Sequence, residues 1–366
     1  MLGATNVPLY LMDGQSFNDI YGTSNNPWDL ARTPGGSSGG SAASLAAGLA
    51  FLSIGSDIGG SIRTPAALCG ICGHKPTIDI VSMAGHSPGG VQENPGFSTL
   101  LAAAGPLARS AEDLETGLRI LAGPEPPDSK AFRWTLPSRR HDQLKDYRIG
   151  YVLEDPAVLV SEETKSVLES VVHACEKAGA VVKQGWPEGF AFAQMLDIYF
   201  FMLGAFDFSV TPPERQQQLR DHLARRPDSM AKGSLSSFAE WQVRNLKRLA
   251  YRALWEKYFE SADVFLLPTA MTTAYPHDHG PRDTRTVPMP EGGAQPQLNL
   301  LTYISPASLT GCPATTVPAG LGKSGLPVGL QIVGPYLEDA TPIGFGQLLA
   351  SEIGGFQPPK GYGGVG

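Results

Sequence analysis

Two short segments carry the residue types that could do chemistry, "PGGSSGGS" at 34–41 and "GSDIGGSIRTP" at 55–65. Seven of the eight residues from Pro34 to Ser41 are glycine or serine, and the run leads straight into an alanine-rich segment. Ser61 lies 24 positions after Ser37 and follows Asp57-Ile58-Gly59-Gly60. A serine hydroxyl is a weak nucleophile and needs a base to activate it. Consecutive glycines before such a serine let several backbone N–H groups converge on one point, as an oxyanion hole demands. Other readings of 34–41 fit less well. A flexible Gly/Ser spacer does not belong between "NNPWDL" and an apolar helix of a compact chain. A phosphate-binding P-loop requires G-x-x-x-x-G-K-[ST]; Gly35 and Gly40 have that spacing, but Ser41 and Ala42 stand where Lys and Ser/Thr belong. Gly36–Gly40 satisfies the G-x-S-x-G of a nucleophile elbow, which should follow a buried strand, whereas "SNNPWDLARTP" precedes it.

The elements that must hold these serines are partly legible. At 366 residues, 42% apolar and 17% charged, the chain can bury a large core. A net charge of −7 and the absence of a basic tract argue against nucleic-acid binding. Small residues from Ser41 to about Leu52 predict a closely packing helix followed by a turn. A second helix is expected over 109–123, with Ser110 as N-cap, Leu114, Leu118 and Leu121 on one face, and Gly123 as the stop. "RIGYVL", the amphipathic "SEETKSVLESVVHACEKAG" and "AVVKQ" form a βαβ crossover, hence a parallel strand pair. Residues 190–260 read as largely helical, and "DVFLLPT" and "LPVGLQIVG" read as buried strands. The Pro/Gly-rich 275–296 reads as a loop, and a last helix spans about 341–352. The fold class expected is α/β, one domain with a mixed central sheet flanked by helices. Asp197 and Asp207 interrupt the most apolar window, 190–208, which therefore reads as a core or pocket-lining helix rather than a membrane span. Four cysteines do not make a disulfide framework; Cys69 and Cys72 form a lone C-x-x-C that reads as two small buried thiols. His277 and His279 lie two apart in a Pro/Gly loop with no further metal ligands evident. No signal peptide is recognisable at the N-terminus, and a cytoplasmic protein is the expectation.

Taken together, "PGGSSGGS…GSDIGGSIRTPAALCGICGHKPT" over residues 34–77 resembles the signature of the amidase signature family of serine hydrolases. Weaker agreement at "TNVP", "NPWD", "GPLARSAEDL", "GCPATTVPAG" and "GLPVGLQIVG" extends the resemblance over 1–366, with 34–77 as signature core and 190–260 as a variable helical region. The resemblance implies that Ser61 attacks an amide carbonyl and becomes acylated. It makes Ser37, after an unusual cis peptide, the serine that relays a proton between Ser61 and a lysine. The backbone N–H groups of Ile58, Gly59, Gly60 and Ser61 are then the oxyanion hole, and Ser38 is an accessory serine. Asp57 and Arg63 become scaffold charges, for which an ordinary ion pair is the plainer reading. No cofactor is implied. The implied partner is a small-molecule amide, without nucleic acid or membrane, and a homodimer is a candidate assembly. The aromatic and Met-rich 190–208 hints at an apolar or aryl acyl group, although a plain core helix has the same composition.

One departure from the family pattern stands out. The resemblance places the catalytic lysine several tens of residues before the relay serine, whereas the first lysine here is Lys75, in "GHKPT". "MLGATNVPLYLM" resembles an interior stretch of the family, so the expectation is that an N-terminal portion carrying that lysine is missing. A catalytically inactive relic or binding module, and an amidotransferase component that moves ammonia within a complex, are the alternatives to a working amidase.

Overall fold

The computed structural model describes residues 2–86, 100–126 and 128–362. A minimal hairpin, β1 (Phe17–Asn18) and β2 (Gly22–Thr23), precedes helix α1 (Gly39–Ala46). Strand β3 (Leu52–Asp57), helix α2 (Arg63–Cys69), and strands β4 (Cys72–Lys75) and β5 (Ala103–Ala108) follow, then helix α3 (Ala111–Leu121). Next come β6 (Arg148–Tyr151), α4 (Glu162–Lys177) and β7 (Val181–Gln184). Helices α5 (Phe192–Ser209), α6 (Pro213–Leu223), α7 (Ser229–Ser234) and α8 (Phe238–Tyr258) fill the middle. The remainder is β8 (Val264–Pro268), a short hairpin of β9 (Thr286–Pro288) and β10 (Ala294–Pro296), α9 (Ser305–Thr310), β11 (Ala314–Leu321), β12 (Pro327–Val333) and α10 (Ala340–Ile353).

Eight strands form one sheet in the order β3-β5-β4-β11-β12-β8-β6-β7. β6 runs parallel to both β7 and β8, and the other pairings are antiparallel, so the sheet is mixed as expected. Every residue of β4, β5, β8 and β12 is buried, which is why their sequences read as continuous apolar or small runs rather than alternating ones. Alternation still sorts the side chains. Phe265 and Leu267 of β8 enter one core layer with Tyr199 and Trp255, while Val264 and Leu266 enter another with Tyr147, Leu168 and Phe345.

The expected βαβ unit is present. Ser161 caps α4 by accepting from the Thr164 N–H, and Gly179, at φ +96°, turns the chain back into β7. Ser110 likewise accepts from the Asp113 N–H to cap α3. Two expectations needed correction. The small-residue helix ends at Ala46, not near Leu52, because Gly48 takes φ +78° and residues 52–57 pair with β5 as the edge strand β3. The 275–296 loop contains the β9–β10 hairpin. All four cysteines are free and buried; burial pushes the Cys72 thiol up to about 12 and Cys69 higher still, so the C-x-x-C is inert packing in the heart of the fold. Among the described residues no helix is long and apolar enough to cross a membrane.

Candidate active site

Ser37 and Ser61 come from two different turns and line one cavity of ≈ 110 Å³, together with Gly36, Ile58 and Gly59. The first turn leads into α1, and its Gly36–Ser37 peptide is cis. Ser16 ties this turn down: its hydroxyl donates to the carbonyls of Gly35 (3.1 Å) and Ser37 (3.0 Å) and accepts the Gly39 N–H (3.0 Å). Gly36 is required by space, since a Cβ there would sit 2.4 Å from the Asp13 carbonyl oxygen and 2.7 Å from the Gln15 nitrogen. Gly36→Ala therefore forces backbone to move directly beneath Ser37. The expected result is a chain destabilised by about 2–4 kcal/mol, with labelling of the site serines lost, as urea unfolding and serine-directed probes would record.

The second turn joins the end of β3 to the start of α2, so Ser61 occupies a strand–turn–helix corner. Asp57, the last residue of β3, organises it. Its carboxylate accepts the N–H groups of Gly60 (2.9 Å), Ile62 (3.2 Å) and Arg63 (3.2 Å). It also accepts the Arg63 guanidinium through Nε (2.9 Å) and Nη2 (2.8 Å), and both side chains are fully buried. Arg63 reaches onward to the Ile304 carbonyl, Ser308 Oγ and Gln331 Oε1, fastening the turn to α9 and β12. Burial by itself raises the Asp57 pKa, but the Arg63 guanidinium outweighs it and holds the carboxyl below the usual carboxylate range. Asp57 and Arg63 are thus an ion pair and a scaffold at once.

This arrangement narrows the expected oxyanion hole. The Gly60 N–H is committed to Asp57, so it is not free for a developing oxyanion. Gly60 instead supplies the turn, at φ +84°, where a Cβ would lie 2.6 Å from Thr64 Oγ1. Among the described residues, the N–H groups of Ile58, Gly59 and Ser61 have no intramolecular acceptor. The two turns are stitched together by Ser38, whose N–H donates to the Ser61 carbonyl at 3.1 Å. Tyr199 of α5 donates to the Ile58 carbonyl at 3.1 Å and fixes the other side of the corner.

Lys75 lies elsewhere. It is fully buried on β4, donates to the Pro76 carbonyl at 2.8 Å, and burial lowers its pKa to about 8. Among the described residues no lysine lines the cavity. His277 and His279 stand with rings 5.8 Å apart, and His279 stacks on Phe17.

The geometry invites comparison with known proteins, and the amidase family model matches residues 1–342. The chain belongs to the amidase family. A glutamyl-tRNA(Gln) amidotransferase subunit from Thermosynechococcus vestitus is 32% identical, the alignment covering 93% of this amidase and 72% of that protein. The corresponding glutamyl-tRNA(Gln) amidotransferase subunit from an Exiguobacterium species is 31% identical over 98% of this chain and 76% of its own. Among solved structures, a bacterial aryl acylamidase of the amidase signature enzymes superposes with TM-score 0.75 at 25% identity, covering 96% of this chain and 72% of the other. A glutamyl-tRNA(Gln) amidotransferase subunit from Thermotoga maritima shares the fold, with TM-score 0.78 at 24% identity, 98% of this chain and 75% of that one.

Several residues of this amidase cavity were not singled out from the sequence. His86 hydrogen-bonds Ser56 Oγ at 2.7 Å, and burial lowers its pKa. Asp207 and Arg282 line the opposite side with Leu203, Phe206 and Val210. Burial raises the Asp207 pKa to about 6, against the pull of the Arg282 charge. Asp207 did leave a sequence signal, as a break in the most apolar window, and that window is both core and cavity wall. Ser16, His86 and Arg282 left none, because each is positioned only by tertiary contacts.

Proposed function

We propose that this chain is a hydrolase of carboxylic amide C–N bonds that works through an acyl-Ser61 intermediate. The observation that carries the reading is the convergence of Ser37, Ser61 and the Ile58–Gly59 backbone on one cavity. In the proposed sequence Ser61 Oγ attacks the amide carbonyl and its proton passes to the side of Ser37. The oxygen that becomes negative is met by the N–H groups of Ile58, Gly59 and Ser61. The tetrahedral intermediate then expels ammonia or an amine, which takes up a proton, and water releases the acid from Ser61. The test is treatment with a fluorophosphonate, followed by intact-mass and peptide mapping. A single adduct on Ser61 supports a competent nucleophile. Failure to form it supports a chain that keeps the pocket without turnover, consistent with a cavity that no lysine lines among the described residues.

A second reading is an amidotransferase component, favoured by the 32% and 31% identity to proteins of that name. In that case glutamine is the amide hydrolysed, and simple aliphatic or aryl amides are poor substrates. Comparing glutamine with such a panel separates the two readings.

A further inference from the structure

The catalytic cavity opens into a second, larger one of ≈ 790 Å³. Tyr10, Met12, Val210 and Arg282 line both, so they form the passage between them. The outer cavity carries Arg215, Arg226, Arg282 and Arg285 against a single acid, Asp283, in a chain whose net charge is −7. Arg285 is clasped by Asp13 at 2.7 and 2.8 Å, and Arg226 by Asp228 at 2.8 Å. Arg215 and Arg282 have no ion-pair partner among the described residues. Leucines 219, 223 and 298 supply apolar wall beside these cations. Inside the passage the sign reverses, because Asp207 faces the catalytic cavity and disfavours an anion close to Ser61.

Resting on the amidase reading, we propose that the outer cavity is a binding site for a carboxylate at the far end of an amide substrate. The scissile amide lies beside Ser37 and Ser61, a short hydrocarbon chain threads the passage, and the carboxylate meets Arg282 and Arg215. Two neighbouring guanidinium groups over an apolar wall suit an acid on a methylene chain, where charge-assisted hydrogen bonds and burial of the chain act together. The carboxylate can sit on the acyl side, as in the monoamide of a dicarboxylic acid, or on the amine side, as in an N-acyl ω-amino acid.

Calorimetric titration of the full-length Ser61→Ala chain, which leaves ligands intact, tests this with two pairs. They are adipamic acid against its methyl ester, and N-acetyl-5-aminopentanoic acid against its methyl ester. At low salt, the acid of at least one pair is expected to bind about tenfold more tightly than its ester, the advantage shrinking as salt screens it. The pair with the larger advantage identifies the side that carries the carboxylate. In Arg282→Gln and Arg215→Gln the acid-to-ester ratio is expected to fall toward one. Equal or tighter binding of both esters overturns the proposal, as does an acid preference unchanged in both arginine variants. Because no turnover is read, a chain whose Ser61 resists acylation but which prefers the acids loses the amidase reading and keeps this site. A chain that is acylated but shows no preference does the reverse.

Discussion

Ser61→Ala is expected to remove amide hydrolysis and fluorophosphonate labelling together, with a loss of about 10³-fold or more in kcat/KM. The size follows from the role. No other serine in the cavity has an oxyanion hole at its own backbone, and a hydroxyl removed at the attacking position leaves no acyl intermediate to form. The same substitution is expected to leave stability within about 0.5 kcal/mol of the parent. Among the described residues the Ser61 hydroxyl has no hydrogen-bond partner, and what fixes the turn is its carbonyl, which receives the Ser38 N–H. Activity and stability thus separate at this position. A variant that lost both would mean that the corner, rather than the nucleophile, had been broken. Ser37→Ala is expected to fall on the same side, losing rate while the fold persists. Parallel amide assays and urea unfolding of the two variants check this.

The largest stability effect is expected at Asp57→Ala. Arg63 is completely buried, and Asp57 is its only counter-charge in direct contact. Removing the carboxylate leaves a guanidinium without compensation and orphans the N–H groups of Gly60 and Ile62 at the turn that carries Ser61. Breaking a buried pair from one side costs about 3–5 kcal/mol, a large share of the ~5–15 kcal/mol that folded proteins have. The double variant Asp57→Ala/Arg63→Met is expected to recover part of that loss, because it no longer strands a charge. Chemical unfolding of the parent, both single variants and the double variant measures the coupling. The sign with pH is also fixed. The folded-state pKa of Asp57 is depressed, so its contribution is present above the ordinary carboxylate range and is lost as pH falls through the lowered value. The parent should lose stability on acidification more steeply than the double variant.

How much of this was legible in the sequence depends on the range of the interaction that decides each feature. Local signals worked. Ser110 and Ser161 sit before amphipathic runs and cap α3 and α4, and Gly179 ends α4 because a left-handed residue is needed there. The buried strands β8 and β12 announce themselves as apolar runs. Strands β4 and β5 do not, because "CGHK" and "AAGPLA" hold small or polar residues whose burial is decided by neighbours on both faces. The same limit applies to the site. Ser37, Ser61 and Asp57 are visible because glycine must surround turns this tight. By contrast, Gly60 as hinge rather than donor becomes clear only once the Asp57 carboxylate is seen to take its N–H. Arg282 reaches the cavity from a loop 221 residues downstream of Ser61, and no periodicity or spacing encodes that.

The most direct measurement of the central claim is peptide mapping of the purified 366-residue chain after exposure to a fluorophosphonate, with Ser61→Ala and Ser38→Ala chains alongside. The account predicts one adduct, on Ser61, retained in Ser38→Ala and absent from Ser61→Ala. An unlabelled parent chain, or an adduct that persists on another serine when Ser61 is replaced, would contradict it.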